Sequence, residues 1–394
     1  VTSGRKANGR SSIFKGSDGR WHGYVTMGVK DNGRTDRRHV QAGTEKAVTA
    51  KVRELEQKRE AGSVATAGKP PTVGEWLTYW LDNIAARKVR ESTLQGYRSK
   101  VDAHLLPGIG AHRLDRLLPE HVEKFYAACA VKKPKPLAPA TVLQLHRILS
   151  RSLKVAHQRG RVTRNVCDLV DSPSVNREEV QPLTAADARA ILAAAAGQRN
   201  AARWSVALAL GLRQGEALGL LWDFVDLDAG QIRVRWQLQR LTGRGLVLVE
   251  PKSRASRRSI AVPDQLVDAL RAHRAEQDAE REVARNLWDD QVSTLDGKVL
   301  RGLVFPQPTG RPIDPRADWA QWKQLSKDAG VRESRLHDAR HTAASVLLAQ
   351  GVPARVVMEL LGHSQIGLTL GTYSHVAPEL SRAAAEGIGG ALWN

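Results

Sequence analysis

The chain is poor in several things. Of its 394 residues only Cys129 and Cys167 are cysteines, which leaves no disulfide framework and no Cys-rich zinc module. No apolar run approaches the ~18–20 residues that cross a bilayer. The opening VTSGRKANGR lacks the apolar stretch of a signal peptide. These absences set the expectation of a soluble, cytoplasmic protein with no membrane partner. Rings are scarce, at 5% Phe, Trp and Tyr. Tyrosine is unevenly spread, because four of the five precede residue 127 and Tyr373 stands alone after residue 180.

Acidic residues are in deficit. There are 41 Asp+Glu against 60 Lys+Arg, a formal net charge of +19. The imbalance is 15 basic to 7 acidic residues over 1–70, 18 to 11 over 71–180, and only 27 to 23 over 181–394. A surplus concentrated in the first 180 residues suits a nucleic-acid grip better than a uniformly solvated surface.

What is present divides the chain into three regions. Residues 1–62 read as a three-stranded sheet with one helix. IFKGSDGRWHGYVTMG and RTDRRHVQAG are broken by the hairpin dipeptides Asp18-Gly19 and Asn32-Gly33. A helix follows, N-capped by Thr44, with Val48, Val52 and Leu55 on one stripe and Gly62 at its stop. Arg20, Arg37 and Arg38 decorate the strands and turns. Residues 63–71 form a linker by composition.

Residues 72–170 read as four helices. Thr72 to Glu75 make a capping box, with Trp76, Leu77, Trp80, Leu81 and Ile84 inward. Leu94, Tyr97, Val101 and Leu105 line the second helix, and Val122, Phe125 and Tyr126 the third. The fourth buries Val142, Leu145, Ile148, Leu149 and Leu153, which leaves Arg147, Arg151 and Lys154 outward, suited to a DNA backbone.

After a second linker, 171–181, residues 182–394 read as mainly helical α+β. Helices are expected over 184–196 and 200–221. Strands are expected near 231–239, 246–250 and 257–262, then a helix from Asp264, a strand at LVFP, and further helices.

Four segments of this last region place phosphate-friendly side chains at turns or helix ends. In GLRQGE, Arg213 lies between Gly211 and Gly215 with Glu216 three residues on; in isolation this is an ion pair. In PKSRASRR, Lys252, Arg254, Arg257 and Arg258 read as a basic hairpin tip. In LHDARH, His337 and His341 are spaced like zinc ligands, yet the general-base glutamate of a zinc motif is missing and Arg340 adds a permanent cation. Phosphate fits this segment better than metal. In LGHSQIGLTLGTYSH, His363 follows a helix end and Tyr373 comes ten residues later. A tyrosine nucleophile among fixed cations is a set suited to phosphoryl transfer.

In that order, GLRQGE, a loop lysine, HDARH, LGHS and TYSH, the chain resembles the tyrosine recombinase (phage integrase) family. Leu210 stands where the family often has threonine, and a ten-residue His-to-Tyr gap occurs in the family. The resemblance implies an arm-type DNA-binding domain over 1–62, a SAM-like core-binding domain over 72–170 and a catalytic domain with a C-terminal tail helix over 182–394. It implies that Tyr373 attacks the scissile phosphodiester to give a 3′-phosphotyrosyl link. Arg213 and Arg340 would clamp the non-bridging oxygens and Lys252 would protonate the leaving 5′-oxygen. His337 would move a proton, His363 would bond a phosphate oxygen, and Glu216 and His341 would support.

Neither metal nor nucleotide cofactor would be needed. Expected partners are double-stranded DNA at core-type and arm-type attachment sites, other copies in a tetramer, and a directionality factor or host DNA-bending protein. The setting would be the nucleoid of a bacterial host. The tail, with Leu392 and Trp393, would dock on a neighbouring protomer or fold back. A type IB topoisomerase and a DNA-binding regulator with a silent site are the competing classes. The basic first region argues against the topoisomerase, and the intact Arg213, Arg340, His363 and Tyr373 argue against the regulator.

Overall fold

The computed structural model describes residues 11–29, 34–60, 70–175, 181–252 and 254–362. The Asn32-Gly33 turn, Gly62, His363, Tyr373 and the tail anchors Leu392 and Trp393 lie outside them. The chain forms two compact units, Val1–Arg177 and Glu178–Asn394.

The first unit opens with an antiparallel sheet of order β1 (Ser12–Lys15), β2 (Trp21–Val29), β3 (Thr35–Ala42), followed by α1 (Glu45–Glu60). Strand alternation decides its faces. Val25 and Met27 are buried with Val48 and Val52 of α1, and Gly23 lets the helix approach. The Thr44 hydroxyl accepts the Ala47 amide and caps α1.

Helices α2 (Val73–Trp80), α3 (Glu91–Lys100), α4 (Leu106–Ile109), α5 (Pro119–Ala130) and α6 (Pro139–Gln158) follow. Single π-helical stretches, Leu81–Ala85 and Val101–Leu105, prolong α2 and α3. Thr72 and Glu75 satisfy each other's backbone amides at the start of α2. The apolar stripes converge on one core holding Trp76, Leu77, Trp80, Val101, Leu105, Phe125, Leu145, Leu149 and Leu153. Each large side chain so buried contributes about 1.5–3 kcal/mol. The second expected helix runs on through the π stretch and α4 to Ile109, so four continuous helical stretches stand where the periodicity suggested four helices.

The second unit begins with α7 (Ala185–Ala195), α8 (Ala201–Leu210) and α9 (Gln214–Leu218). Short strands follow: β4 (Val225–Asp226), β5 (Gln231–Val234), β6 (Gln237–Leu241), β7 (Gly245–Val249) and β8 (Arg258–Ala261). Then come α10 (Asp264–Ala284), the ribbon β9 (Val292–Ser293) and β10 (Val299–Leu300), α11 (Pro315–Asp328), α12 (Leu336–Ala349) and α13 (Ala354–Leu361).

Four expectations are corrected. The helix over 200–221 is two helices, because Gly211 takes a left-handed φ of 60° and ends α8. The strand over 231–239 divides, with β5 pairing β4 and β8 while β6 pairs β7. PKSRASRR is therefore a crossover from one sheet to another and not a hairpin tip. LVFP makes only isolated bridges, Leu221 to Leu303 and Pro306 to Pro312, since Pro306 brings no amide hydrogen to a ladder.

Gly211 is constrained twice. A Cβ there would lie 2.6 Å from Leu361 Cδ2 and 3.2 Å from Ala343 Cβ. Gly211→Ala should therefore combine left-handed strain with overpacking and cost about 2–4 kcal/mol. Chemical denaturation followed by tryptophan fluorescence measures this. A midpoint equal to that of the parent chain would show that the α8 end is not so constrained.

Candidate active site

The end of α13 gathers the site. Its C-cap, Gly362, has φ 69°, and three consecutive carbonyls there each accept from an arginine. Arg258 Nε donates to Leu360 O at 2.5 Å, Arg340 Nη2 to Leu361 O at 2.5 Å and Arg213 Nη2 to Gly362 O at 3.2 Å. These carbonyls carry the negative end of the helix dipole, which favours cations.

Arg213 is the N-cap of α9. Its Nη1 donates to Glu216 Oε1 at 2.6 Å, while Glu216 Oε2 accepts the Arg213 backbone amide at 3.1 Å. The local ion pair read from sequence is thus present, and it fixes the turn. Glu216 also accepts from Arg258 Nη2 at 3.1 Å and is only 2% exposed. Burial alone would raise its pKa, but Arg258 and then Arg213 outweigh that and hold the carboxyl below its ordinary value.

Arg258 was expected among DNA-facing cations. It points inward instead, with 7% of its side chain exposed, its donors going to Leu360, Ser256 and Glu216. The first position of β8 faces the protein here, and Glu216 draws the guanidinium in. Arg257 is exposed and only loosely paired with Glu250 at 3.7 Å. Lys252 is exposed on the same crossover. Arg254 opens a short 3-10 turn, Arg254–Ser256.

Arg340 is 2% exposed, and its Nη1 donates to Gly211 O at 2.8 Å. It therefore ties the end of α8 to the end of α13 from the middle of α12. His337 and His341, one turn apart on α12, meet edge to face at 4.9 Å between ring centroids. Solvent reaches His337, yet the protein around it removes enough hydration to depress its pKa to about 4, aided by His341, Arg340 and Arg213. Burial chiefly lowers His341 as well. Among the described residues no cluster of three or more His, Cys, Asp or Glu could hold a metal.

Sequence reasoning missed a second layer. Gln214, next to Arg213, donates to Pro315 O and Asp318 Oδ2, and Asp318 forms a buried two-pronged pair with Arg203. Separations of 104 and 115 residues leave no local signal for this.

In the first unit Arg147, Arg151 and Lys154 are exposed along α6. On the sheet face opposite α1, Phe14, His22, Tyr24 and His39 form a ring ladder with centroids 4.7–6.0 Å apart. Arg37 lies 4.8 Å over Tyr24. Alternation along β2 and β3 carries the signal for that ladder. Arg20 is exposed and Arg38 half-buried.

Comparison with known proteins identifies the family of the chain. The Phage integrase family profile matches residues 175–379, and the Phage integrase, N-terminal SAM-like domain matches residues 72–128. An integrase of Saccharopolyspora erythraea is 40% identical over 442 aligned residues, covering 99% of this chain and 98% of that protein. A XerC-like tyrosine recombinase of Caldanaerobacter subterraneus is 27% identical, covering 92% and 94%. The Tn1549 transposon integrase, solved in complex with a circular intermediate DNA, superposes with a TM-score of 0.64 at 22% identity, over 81% of this chain and 99% of that one; this likeness concerns the fold. The chain belongs to the phage integrase family. Within that family it is a tyrosine-type site-specific recombinase, an enzyme that acts on DNA.

Two predictions come from this geometry. The unfolded His337 imidazole protonates near 6.5 and the folded one near 4. Its contribution to stability is therefore complete above pH 6.5 and is lost as the pH falls toward 4. An NMR titration should place the His337 midpoint well below 6.5, and His337→Gln should flatten the pH slope of the unfolding midpoint in that window. A midpoint at or above 6.5 would refute the crowding. Separately, Arg257→Gln should reduce the log-log salt slope of DNA binding by about 1, while Arg258→Gln leaves that slope unchanged and lowers stability. Equal slope losses in both variants would return Arg258 to the DNA surface.

Proposed function

We propose that the chain integrates or excises a mobile element by cutting and rejoining DNA through a covalent 3′-phosphotyrosyl intermediate. The observation that carries this is the convergence of Arg213 and Arg340 on the end of α13, with His337 close to both arginines, from which the sequence continues to His363 and Tyr373. In this reading Tyr373 Oη attacks the scissile phosphorus and the bond to the 5′-oxygen breaks. The tyrosine proton passes to His337, and Lys252 gives a proton to the leaving oxygen. Arg213, Arg340 and His363 hold the non-bridging oxygens, where negative charge accumulates.

A neutral His337 is ready to accept a proton, and a bound phosphate dianion-like centre raises its basicity. Attack by the 5′-hydroxyl of a partner strand reverses the step and conserves the bond energy, so no metal or nucleotide is consumed. Exchange between two duplexes involves four strands, each cut by one nucleophile, which argues for a tetramer on DNA.

The sheet of residues 1–62 serves arm-type sites, and its ring ladder beside Arg37 suits contact with DNA. The 72–170 helices serve core-type sites, with Arg147, Arg151 and Lys154 on the phosphate backbone. A directionality factor or host DNA-bending protein would act on this assembly, at the nucleoid of the bacterial host.

A nicked suicide duplex carrying the attachment core tests the chemistry. The parent chain should become covalently joined to it, and Tyr373→Phe should not. Trapping by Tyr373→Phe would remove that residue as nucleophile. Relaxation of supercoiled DNA with no site requirement would favour a topoisomerase.

A further inference from the structure

Gln214 has no part in the reaction as proposed, yet its side chain tethers the Arg213 turn to a distant helix. Its side-chain amide donates to Pro315 O at 2.7 Å and to Asp318 Oδ2 at 2.9 Å. Both acceptors lie in the first turn and a half of α11, which begins at Pro315. Asp318 is in turn gripped by Arg203 of α8, Nε to Oδ1 at 3.2 Å and Nη2 to Oδ2 at 3.0 Å, with each side chain 1% exposed. Arg203 also lies 5.2 Å over the Trp204 ring.

This network is a poor device for stability alone. A buried ion pair loses the hydration of both ions, and well-packed apolar residues of the same volume often hold a fold better. Here Arg203 Nη1 is also buried with no hydrogen-bond partner, a further cost. What the pair supplies is direction. Asp318 can present Oδ2 to Gln214 only in the orientation that Arg203 imposes.

The turn so held is the one that aims Arg213. Gln214 is the first residue of α9 and Arg213 its N-cap, so a shift of the Gln214 backbone moves the Arg213 Cα directly. Glu216 fixes the guanidinium from within the same short helix, and Arg258 ties that carboxylate to β8, but neither contact reaches α11. The tether through Gln214 hydrogen-bonds α9 to α11 and, through Asp318, reaches Arg203 of α8.

We infer that Gln214 is a positioning residue for Arg213, its carboxamide locked by the buried Arg203–Asp318 pair so that the guanidinium is held where the scissile phosphate will lie. This rests on the strand-cleavage reading above, with Arg213 as a ligand of the non-bridging oxygens. Displacing a charge-stabilising group by about 1 Å costs on the order of 100-fold in rate, so the loss belongs in the cleavage step and not in DNA binding.

The test uses Gln214→Met in the full chain, which keeps length and removes the donor. Single-turnover cleavage is measured on two nicked duplexes carrying the attachment core. One has the natural scissile phosphate; in the other a methyl group replaces one non-bridging oxygen, leaving a neutral methylphosphonate with no charge for Arg213 to hold. The expected result is a loss of roughly 10- to 100-fold on the phosphate, little loss on the methylphosphonate, and unchanged DNA affinity and thermal midpoint. Asp318→Asn, which keeps the shape of the pair, should show the same substrate dependence. Equal losses on both duplexes would mean a merely structural role and overturn the proposal, as would a Gln214→Met chain as fast as its parent. A parent chain that cleaves neither duplex would instead overturn the strand-cleavage reading.

Discussion

Three guanidinium groups bound to three successive carbonyls at the end of α13 are the constraint on which the rest of this site depends. Leu360, Leu361 and Gly362 have no further turn of helix to satisfy their oxygens, and Arg258, Arg340 and Arg213 take them in order. The arginines come from β8, α12 and the α8–α9 turn, so one helix end aligns three segments that are far apart in the chain. Carbonyls orient a guanidinium without neutralising it. Glu216 is one carboxylate shared by two of these cations, so the cluster stays positively charged. A phosphodiester arriving there would meet cations already placed, and little reorganisation would be left for the transition state.

The glycines at the two helix ends follow from the same constraint. Gly211 must turn left-handed to offer its carbonyl to Arg340, and Leu361 packs against its bare Cα. Gly362 is also left-handed, and a Cβ there would lie 3.0 Å from both Ala255 O and Arg258 Nη1. Close packing here sets the positions of charged groups. The buried Arg203–Asp318 pair fits this pattern, since it gives up some stability for a fixed orientation at the neighbouring turn.

Much of this is legible in the sequence. The apolar stripes of α2 and α6 identified their buried residues, because helical periodicity reports one face against one core. Arg213, Glu216, His337 and Arg340 were found from short motifs at turns and helix starts. Long-range pairing was not legible. Nothing near Arg258 says that Glu216, 42 residues earlier, will turn it inward, and PKSRASRR reads as a hairpin tip until the pairing of β7 with β6 and β8 with β5 is known. Gly211 falls inside the helix that the pattern suggests over 200–221. That it would end a helix required knowing that Leu361 and Ala343 stand against it.

The same distinction changes what the net charge means. Exposed cations such as Arg147, Arg151, Lys154 and Arg257 can exchange counterions with DNA, and their worth falls as salt rises. Arg203, Arg258 and Arg340 have already exchanged water for carbonyls and carboxylates, so salt screens them little. Residues 181–394 hold 27 basic side chains, the most of the three regions, yet are nearly balanced by 23 acidic ones. Several of their cations, Arg203, Arg258 and Arg340 among them, serve geometry. The net surplus lies in the first 180 residues, whereas a count of basic side chains alone would place it in residues 181–394.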